Sequence, residues 1–65
     1  MNWDQLKGNW KQIKGDMIKE WGKLTNDDFD VINGDRVKLE GKLQEAYGIG
    51  KEDAQTRIDT FIKRY

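Results

Sequence analysis

Apolar residues recur every three or four positions along the first third of the chain, which is the spacing of one face of an α-helix. No segment sustains the alternation of apolar and polar residues that is typical of a β-strand, and proline is absent. The pattern predicts an all-α fold, a small bundle of three to five helices. The first apolar stripe comprises Trp3, Leu6, Trp10, Ile13, Met17, Trp21 and Leu24.

The start of the first helix is well marked. Asn2 is a suitable N-cap, and Gln5, three residues later, can complete a capping box. Glycines then occur every seventh residue beside the apolar stripe, and each costs about 1 kcal/mol relative to alanine inside a helix. We therefore expect Gly15 to mark a break or kink, although the sequence leaves open whether the helix continues through it. Gly22 is expected to end the helix in a left-handed conformation.

The next helix is predicted to start at about residue 26, because Thr25 is a natural N-cap. Asp27 and Asp28 follow in the first turn, where the helix dipole favours negative charge. Together with Asp30 they form an acidic cluster that invites comparison with a calcium site. A calcium loop alternates oxygen ligands and places glycine at its sixth position, whereas apolar residues intervene here. We therefore interpret the cluster as a helix start.

The Asn33-Gly34 pair is a strong turn signal, and Asp35 can cap the helix that follows it. That helix is predicted over residues 35 to 47. Gly48 is placed to end it in the left-handed conformation.

The last helix is predicted to begin near residue 51 and to carry an apolar stripe to the end of the chain. A chain of 65 residues buries only about 60% of the surface that it exposes when unfolded. We therefore expect one modestly stable domain over residues 1–65. The last stripe comprises Ala54, Ile58, Phe61, Ile62 and Tyr65.

The chain also contains an internal pseudo-repeat. Residues 13–24 and 32–43 are identical at seven of twelve aligned positions. We interpret the repeat as scaffolding, two similar helical units that pack crosswise and cover each other's apolar stripes. Twin ligand sites would need shared chemistry beyond Asp16 and Asp35 and the paired lysines, and we find none.

Composition argues against several classes of function. The chain has no cysteine and no histidine, so it lacks disulfides, thiolate metal ligands and the commonest general base. We expect a protein that is not an enzyme, with no cofactor, no metal and no small-molecule substrate. Twelve basic and twelve acidic residues balance, which argues against a partner held by bulk charge.

No apolar run approaches the roughly 20 residues of a membrane span, and no signal-peptide pattern opens the chain. The expected location is the cytoplasm.

The stretch GIGKEDA at residues 48–54 resembles the hairpin of helix-hairpin-helix nucleic-acid-binding modules. In such a turn, Gly48 and Gly50 would let backbone N–H groups approach a phosphate, and Lys51 would add charge. The two acidic residues after Lys51 would oppose the phosphate. The alternative interpretation is a helix C-cap followed by the start of the next helix.

A second possible surface lies on the flank of the first helix, where Lys7, Lys11 and Lys14 stand beside the tryptophans. Such a flank could bind an anionic membrane surface or stack on single-stranded nucleic acid. The tryptophans share the apolar stripe, however, and we therefore expect them to be buried. A protein partner is the remaining possibility, and the sequence does not identify it.

Three segments, GNWKQIKG at 8–15, WGKLTNDD at 21–28 and GKLQEAYG at 41–48, closely resemble the CsbD-like family of small bacterial stress-response proteins. The resemblance covers nearly the whole chain. It implies a general stress-response protein of undefined molecular activity, acting as a non-catalytic interaction or protective protein. It also implies an all-helical fold of two crossed α-hairpins, similar to the SAM-domain-like bundle. No catalytic or ligand-binding residues come with the family.

Overall fold

The computed structural model describes all residues from 1 to 65 and contains five α-helices and no strand. The prediction of a small all-α bundle is confirmed. The helices, in chain order, are α1 (Trp3–Gly8), α2 (Trp10–Glu20), α3 (Asn26–Ile32), α4 (Arg36–Tyr47) and α5 (Lys51–Ile62).

The boundary between α1 and α2 lies at Asn9. The predicted capping box at Asn2 and Gln5 starts α1. At Asn9 the side-chain amide donates to the carbonyl of Gln5 at 3.1 Å, and such local side-chain bonds compete with helix continuation. Gly15 lies inside α2, so the helix continues through Gly15, a point that the sequence left open. An exposed glycine weakens a helix by only about 1 kcal/mol, which packing of the apolar face can offset.

The end of α2 also differs from expectation. Glu20 is its last residue, and Trp21 follows as C-cap with φ −119° and ψ 73°. Gly22 does not have a positive φ, so the predicted left-handed end at Gly22 is wrong. The chain instead leaves the helix through Trp21, which is buried in the core. The N–H of Leu24 donates to the carbonyl of Trp21 at 3.0 Å and closes a tight turn.

The start of α3 follows the prediction. The Thr25 hydroxyl accepts a hydrogen bond from the N–H of Asp28 at 3.1 Å. In return, the Asp28 carboxylate accepts one from the N–H of Thr25 at 2.9 Å. This reciprocal pair satisfies two backbone donors that the first helical turn would leave free.

The turn into α4 and the end of α4 are confirmed as well. Asn33 and Gly34 both adopt positive φ, 42° and 84°. The Asp35 carboxylate caps α4 by accepting from two backbone N–H groups, at 2.9 and 3.2 Å. Gly48 ends the helix in the left-handed region with φ 63°.

The core forms between all five helices. Trp21 is buried, whereas Trp3 and Trp10 are half-buried at its edge, so the expectation that the tryptophans are buried holds fully for one of the three. The rings of Trp3 and Trp10 meet edge to face, with centroids 6.2 Å apart and planes inclined by 62°. The buried core residues are Leu6, Ile13, Met17, Trp21, Leu24, Phe29, Ile32, Leu39, Leu43, Ala54, Ile58, Phe61 and Ile62.

The end of the chain folds back onto α2. The Tyr65 hydroxyl donates a hydrogen bond to the Asp16 carboxylate. One turn further along α2, the Arg64 guanidinium donates two hydrogen bonds to the Glu20 carboxylate. These contacts join α2 to the segment that follows α5. The whole chain has a radius of gyration of 10.6 Å, measured over the Cα atoms.

The two copies of the pseudo-repeat do not have the same conformation. Gly15 is helical, whereas Gly34, its aligned partner, lies in the left-handed turn between α3 and α4. Gly22 follows the end of α2, whereas Gly41 lies inside α4. The two units are therefore less similar than the repeated sequence predicts, because the second copy crosses a helix boundary where the first does not.

Candidate functional site

The side chain of Tyr47 is flanked by two cations. The Nζ atom of Lys23 lies 5.2 Å from the ring centroid, and the Cζ atom of Arg57 lies 5.3 Å from it. The backbone N–H of Lys23 also donates to the Tyr47 hydroxyl oxygen at 3.4 Å. Neither cation belongs to any of the ion pairs of the chain. Two positive charges are thus held beside one ring without a carboxylate partner.

Three elements bring these residues together. Tyr47 is the last residue of α4, Lys23 lies in the loop after α2, and Arg57 projects from the middle of α5. The C-terminal ends of α2 and α4 carry partial negative charge, which favours cations nearby. The ring of Tyr47 adds a further attraction of about 0.5–1 kcal/mol for an exposed cation.

A groove of about 300 Å³ opens beside Tyr47, and we call it the Tyr47 groove. Its one carboxylate, Glu20, already receives hydrogen bonds from Arg64, and these bonds hold the pKa of Glu20 below its ordinary value. The negative charge of Glu20 is therefore largely balanced. The groove is lined by Glu20, Trp21, Tyr47, Thr56, Arg57 and Thr60.

The indole N–H of Trp21 is a free donor in this groove. Trp21 is only 4% exposed. Its indole nitrogen has no hydrogen-bond partner in the protein, unlike that of Trp3, which donates to the carbonyl of Gly34 at 3.0 Å. Every fully buried side-chain nitrogen or oxygen has a hydrogen-bond partner. The Trp21 nitrogen has none, so it must lie in the small part of the indole that solvent reaches. Because Trp21 lines the groove, we place this donor at the groove wall.

Comparison with known proteins decides the family. A family model described as CsbD-like matches residues 4–56. The chain belongs to the CsbD-like family. It is 49% identical over 65 residues to the UPF0337 protein YjbJ of Escherichia coli O6:H1, covering 100% of this chain and 94% of that protein. It is 54% identical over 62 residues to the UPF0337 protein RPA4217 of Rhodopseudomonas palustris, covering 95% and 94%. No solved structure matches the chain.

The predicted phosphate-binding residues of this CsbD-like chain lie elsewhere. Gly48, Gly50 and Lys51 are all exposed, at the connection between α4 and α5. Gly50 is the N-cap of α5 without a side-chain hydrogen bond, and Glu52 and Asp53 occupy the first turn. None of the three lines the Tyr47 groove. The phosphate-binding hypothesis for this turn stays a prediction.

The lysine flank of the first two helices is not a uniform basic stripe. Lys14 pairs with Asp30 at 2.6 Å, and the stem of Lys7 covers Gly34, where an added Cβ would lie 2.9 Å from its Cγ. Lys11 is exposed and lines a separate groove at the junction of α1 and α2.

None of the helices of this CsbD-like chain combines the length and the apolar character needed to cross a membrane.

The acidic cluster acts as the helix start that we predicted. The hydrogen bond from the backbone N–H of Thr25 is the main cause that lowers the pKa of Asp28, and Lys42 lies 3.4 Å away on α4. Asp30 instead pairs with Lys14. The acidic side chains are therefore divided between a helix cap and two ion pairs.

Sequence reasoning missed the Tyr47 groove. Lys23 and Tyr47 are 24 positions apart, and helix periodicity cannot show that they meet. One local signal was available, because Arg57 falls between Ala54 and Phe61 at the border of the apolar stripe. A cation at the border of an apolar stripe lies where α5 meets its neighbours, and it could have indicated a surface site.

Proposed function

We propose that this CsbD-like chain is a general stress-response protein of the cytoplasm that acts by binding a partner and not by catalysing a reaction. Family membership supports the role in stress. The Tyr47 groove supports the role in binding, because Arg57 in its lining and Lys23 beside the Tyr47 ring both lack carboxylate partners. The groove is the surface that we assign to the partner.

The two cations beside the Tyr47 ring lack ion-pair partners within the protein. Ion pairs occupy other charged side chains of the chain, including Lys14, Arg36 and Lys42. Arg57 lines the Tyr47 groove without a carboxylate partner, and Lys23, which also belongs to no ion pair, lies 5.2 Å from the centroid of the Tyr47 ring. A partner that supplies acceptors would gain several charge-assisted hydrogen bonds there, which are roughly twice as strong as neutral ones.

The test uses a bacterial strain that lacks the gene and loses viability under stress. We expect the wild-type chain to restore survival and Arg57→Gln and Lys23→Gln to fail, because each removes one of the two cations beside the Tyr47 ring. Lys38→Gln is the matched control, since Lys38 is an exposed cation of α4 that lines none of the grooves. Circular dichroism of each purified variant checks folding. Full restoration by both groove variants would contradict the proposed function.

A second candidate function is nucleic-acid binding through residues 48–54. It is favoured by the left-handed Gly48 and by the N-terminus of α5 at Gly50, which has no side-chain cap. An amide-resolved NMR titration with a short DNA duplex and a short single strand would test it. Shifts centred on this turn that fade as salt rises would support it, because phosphate contacts weaken with salt. A silent spectrum at low salt would reject it.

A further inference from the structure

We propose that the Tyr47 groove binds a phosphate group carried by a small molecule. The inference rests on the proposed function, because it names the chemistry of the partner for the same groove. Two features of the groove carry it: the excess positive charge and the number of free hydrogen-bond donors.

The charge of the groove matches a phosphate monoester. Arg57 contributes one positive charge from the groove lining, Lys23 contributes a second from beside the Tyr47 ring, and the charge of Glu20 is balanced by Arg64. A phosphate monoester carries a charge of about −1.5 to −2 at neutral pH. An anion of this charge would neutralise both cations and relieve their mutual repulsion.

The groove offers more hydrogen-bond donors than a carboxylate ligand has oxygen atoms to accept them. Thr56 and Thr60 lie one turn apart on α5, and both line the groove. Trp21 and Arg57 line the same groove, and they add an indole N–H and the N–H groups of a guanidinium. A tetrahedral phosphate offers three terminal oxygens to such a set, whereas a planar carboxylate offers two.

The aromatic ring does not serve as a stacking platform for a nucleic-acid base. Single-strand binding by stacking needs a free aromatic face. The ring of Tyr47 is half-buried and already has Lys23 and Arg57 at about 5 Å from its centroid. Its role in our proposal is to hold the two cations together beside the groove.

The experiment is an NMR titration of the full chain with inorganic phosphate at constant ionic strength, with acetate and chloride in parallel. The chain has three tryptophans, so three indole N–H signals report on three places. We expect phosphate to shift the Trp21 indole signal and the amides of residues 56 to 60, and the Trp3 indole signal to stay in place because Gly34 already binds that donor. An unmoved Trp21 signal, or equal shifts with acetate, would overturn the phosphate assignment.

Two variants sharpen the result. Arg57→Gln should weaken phosphate binding about tenfold, the usual effect of losing a charge-assisted hydrogen bond. Lys51→Gln should leave it unchanged. Loss of binding in Lys51→Gln, with shifts at Gly48 to Lys51, would instead place the phosphate in the turn before α5 and overturn our assignment.

The outcome is separable from that of the proposed function. If phosphate does not bind but Arg57→Gln still abolishes stress survival, the groove is functional and its ligand has another chemistry. If phosphate binds and Arg57→Gln still restores survival, the ligand assignment stands and the proposed function fails.

Discussion

Gly34 lies in the turn between α3 and α4, under the aliphatic stem of Lys7. Its φ of 84° falls in the region that glycine adopts without steric cost. A Cβ built at this position would lie 2.9 Å from the Cγ of Lys7, and the carbonyl of Gly34 accepts the indole N–H of Trp3. The position therefore requires glycine for its backbone conformation and for its close contact with Lys7.

These two requirements can be measured separately. We expect Gly34→Ala to lower the free energy of unfolding by about 1–3 kcal/mol. Gly48→Ala has the same backbone cost at φ 63° but no atom within 4 Å of the added methyl group, so its loss should be smaller, about 1 kcal/mol. In a Lys7→Ala background the contact with the Lys7 stem is absent. Adding Gly34→Ala to that background should therefore lower the free energy of unfolding by only the backbone cost, about as much as Gly48→Ala does in wild type. Urea unfolding followed by tryptophan fluorescence gives all these values, and equal losses for the two glycine variants would contradict the contact with Lys7.

Tyr65 gives the chain a pH dependence on the alkaline side. The hydrogen bond that its hydroxyl donates to the Asp16 carboxylate is the main cause that raises the pKa of Tyr65 above its ordinary value. A group whose pKa is raised by folding contributes stability below its unfolded pKa and loses that contribution as the pH rises through the folded pKa. We therefore expect Tyr65→Phe to unfold more easily than wild type at neutral pH, with the difference shrinking as the pH rises past the ordinary tyrosine pKa of about 10. Urea midpoints measured across this range test it, and a constant difference would contradict the role of the hydroxyl proton.

At the scale of elements, α2 contains a glycine that the helix tolerates but does not need. Gly15 is exposed inside α2, and a Cβ at this position would meet no atom within 4 Å. We expect Gly15→Ala to raise the free energy of unfolding by about 0.5–1 kcal/mol, because alanine loses less conformational entropy in a helix. Gly22→Ala is the control, since that position has equal space but lies outside the helix. Thermal unfolding by circular dichroism would show a higher midpoint for Gly15→Ala, and a lower one would mean that the helix bends there.

The helix boundaries show which features the sequence can predict. Thr25, Asp35 and Gly48 act within one turn of their own position, so their side-chain or backbone chemistry marked the boundaries correctly. The end of α2 depends instead on Trp21, which leaves the helix to enter a core built from distant segments. The same reason explains the Tyr47 groove, because Lys23 and Arg57 reach the Tyr47 ring only after the loop that follows α2, the end of α4 and the middle of α5 have packed together.

At the scale of the whole molecule, a row of aromatic rings joins the end of α2 to the last residue of the protein. The ring of Phe61 lies 5.2 Å from that of Trp21 and 5.2 Å from that of Tyr65, between centroids. Arg64, which binds Glu20, also lies over the Phe61 ring at 5.7 Å. Phe61 therefore contacts three parts of the molecule at once. These are the core, the last residues that fold back onto α2, and Trp21 in the wall of the Tyr47 groove.

Truncation of Phe61 should consequently affect the molecule more than truncation of any half-buried ring. Phe61 is 2% exposed, and removing a fully buried phenylalanine side chain costs about 3–5 kcal/mol, which is a large part of the stability of a small domain. Trp10 is only half-buried beside Trp3 and Phe29, so Trp10→Ala should cost less, although its ring is larger. Val37→Ala, at a side chain 73% exposed, should be nearly neutral. Thermal and urea unfolding of the three variants would rank Phe61→Ala as the least stable, and a midpoint equal to that of wild type would mean that the aromatic chain does not hold the last residues and α2 together.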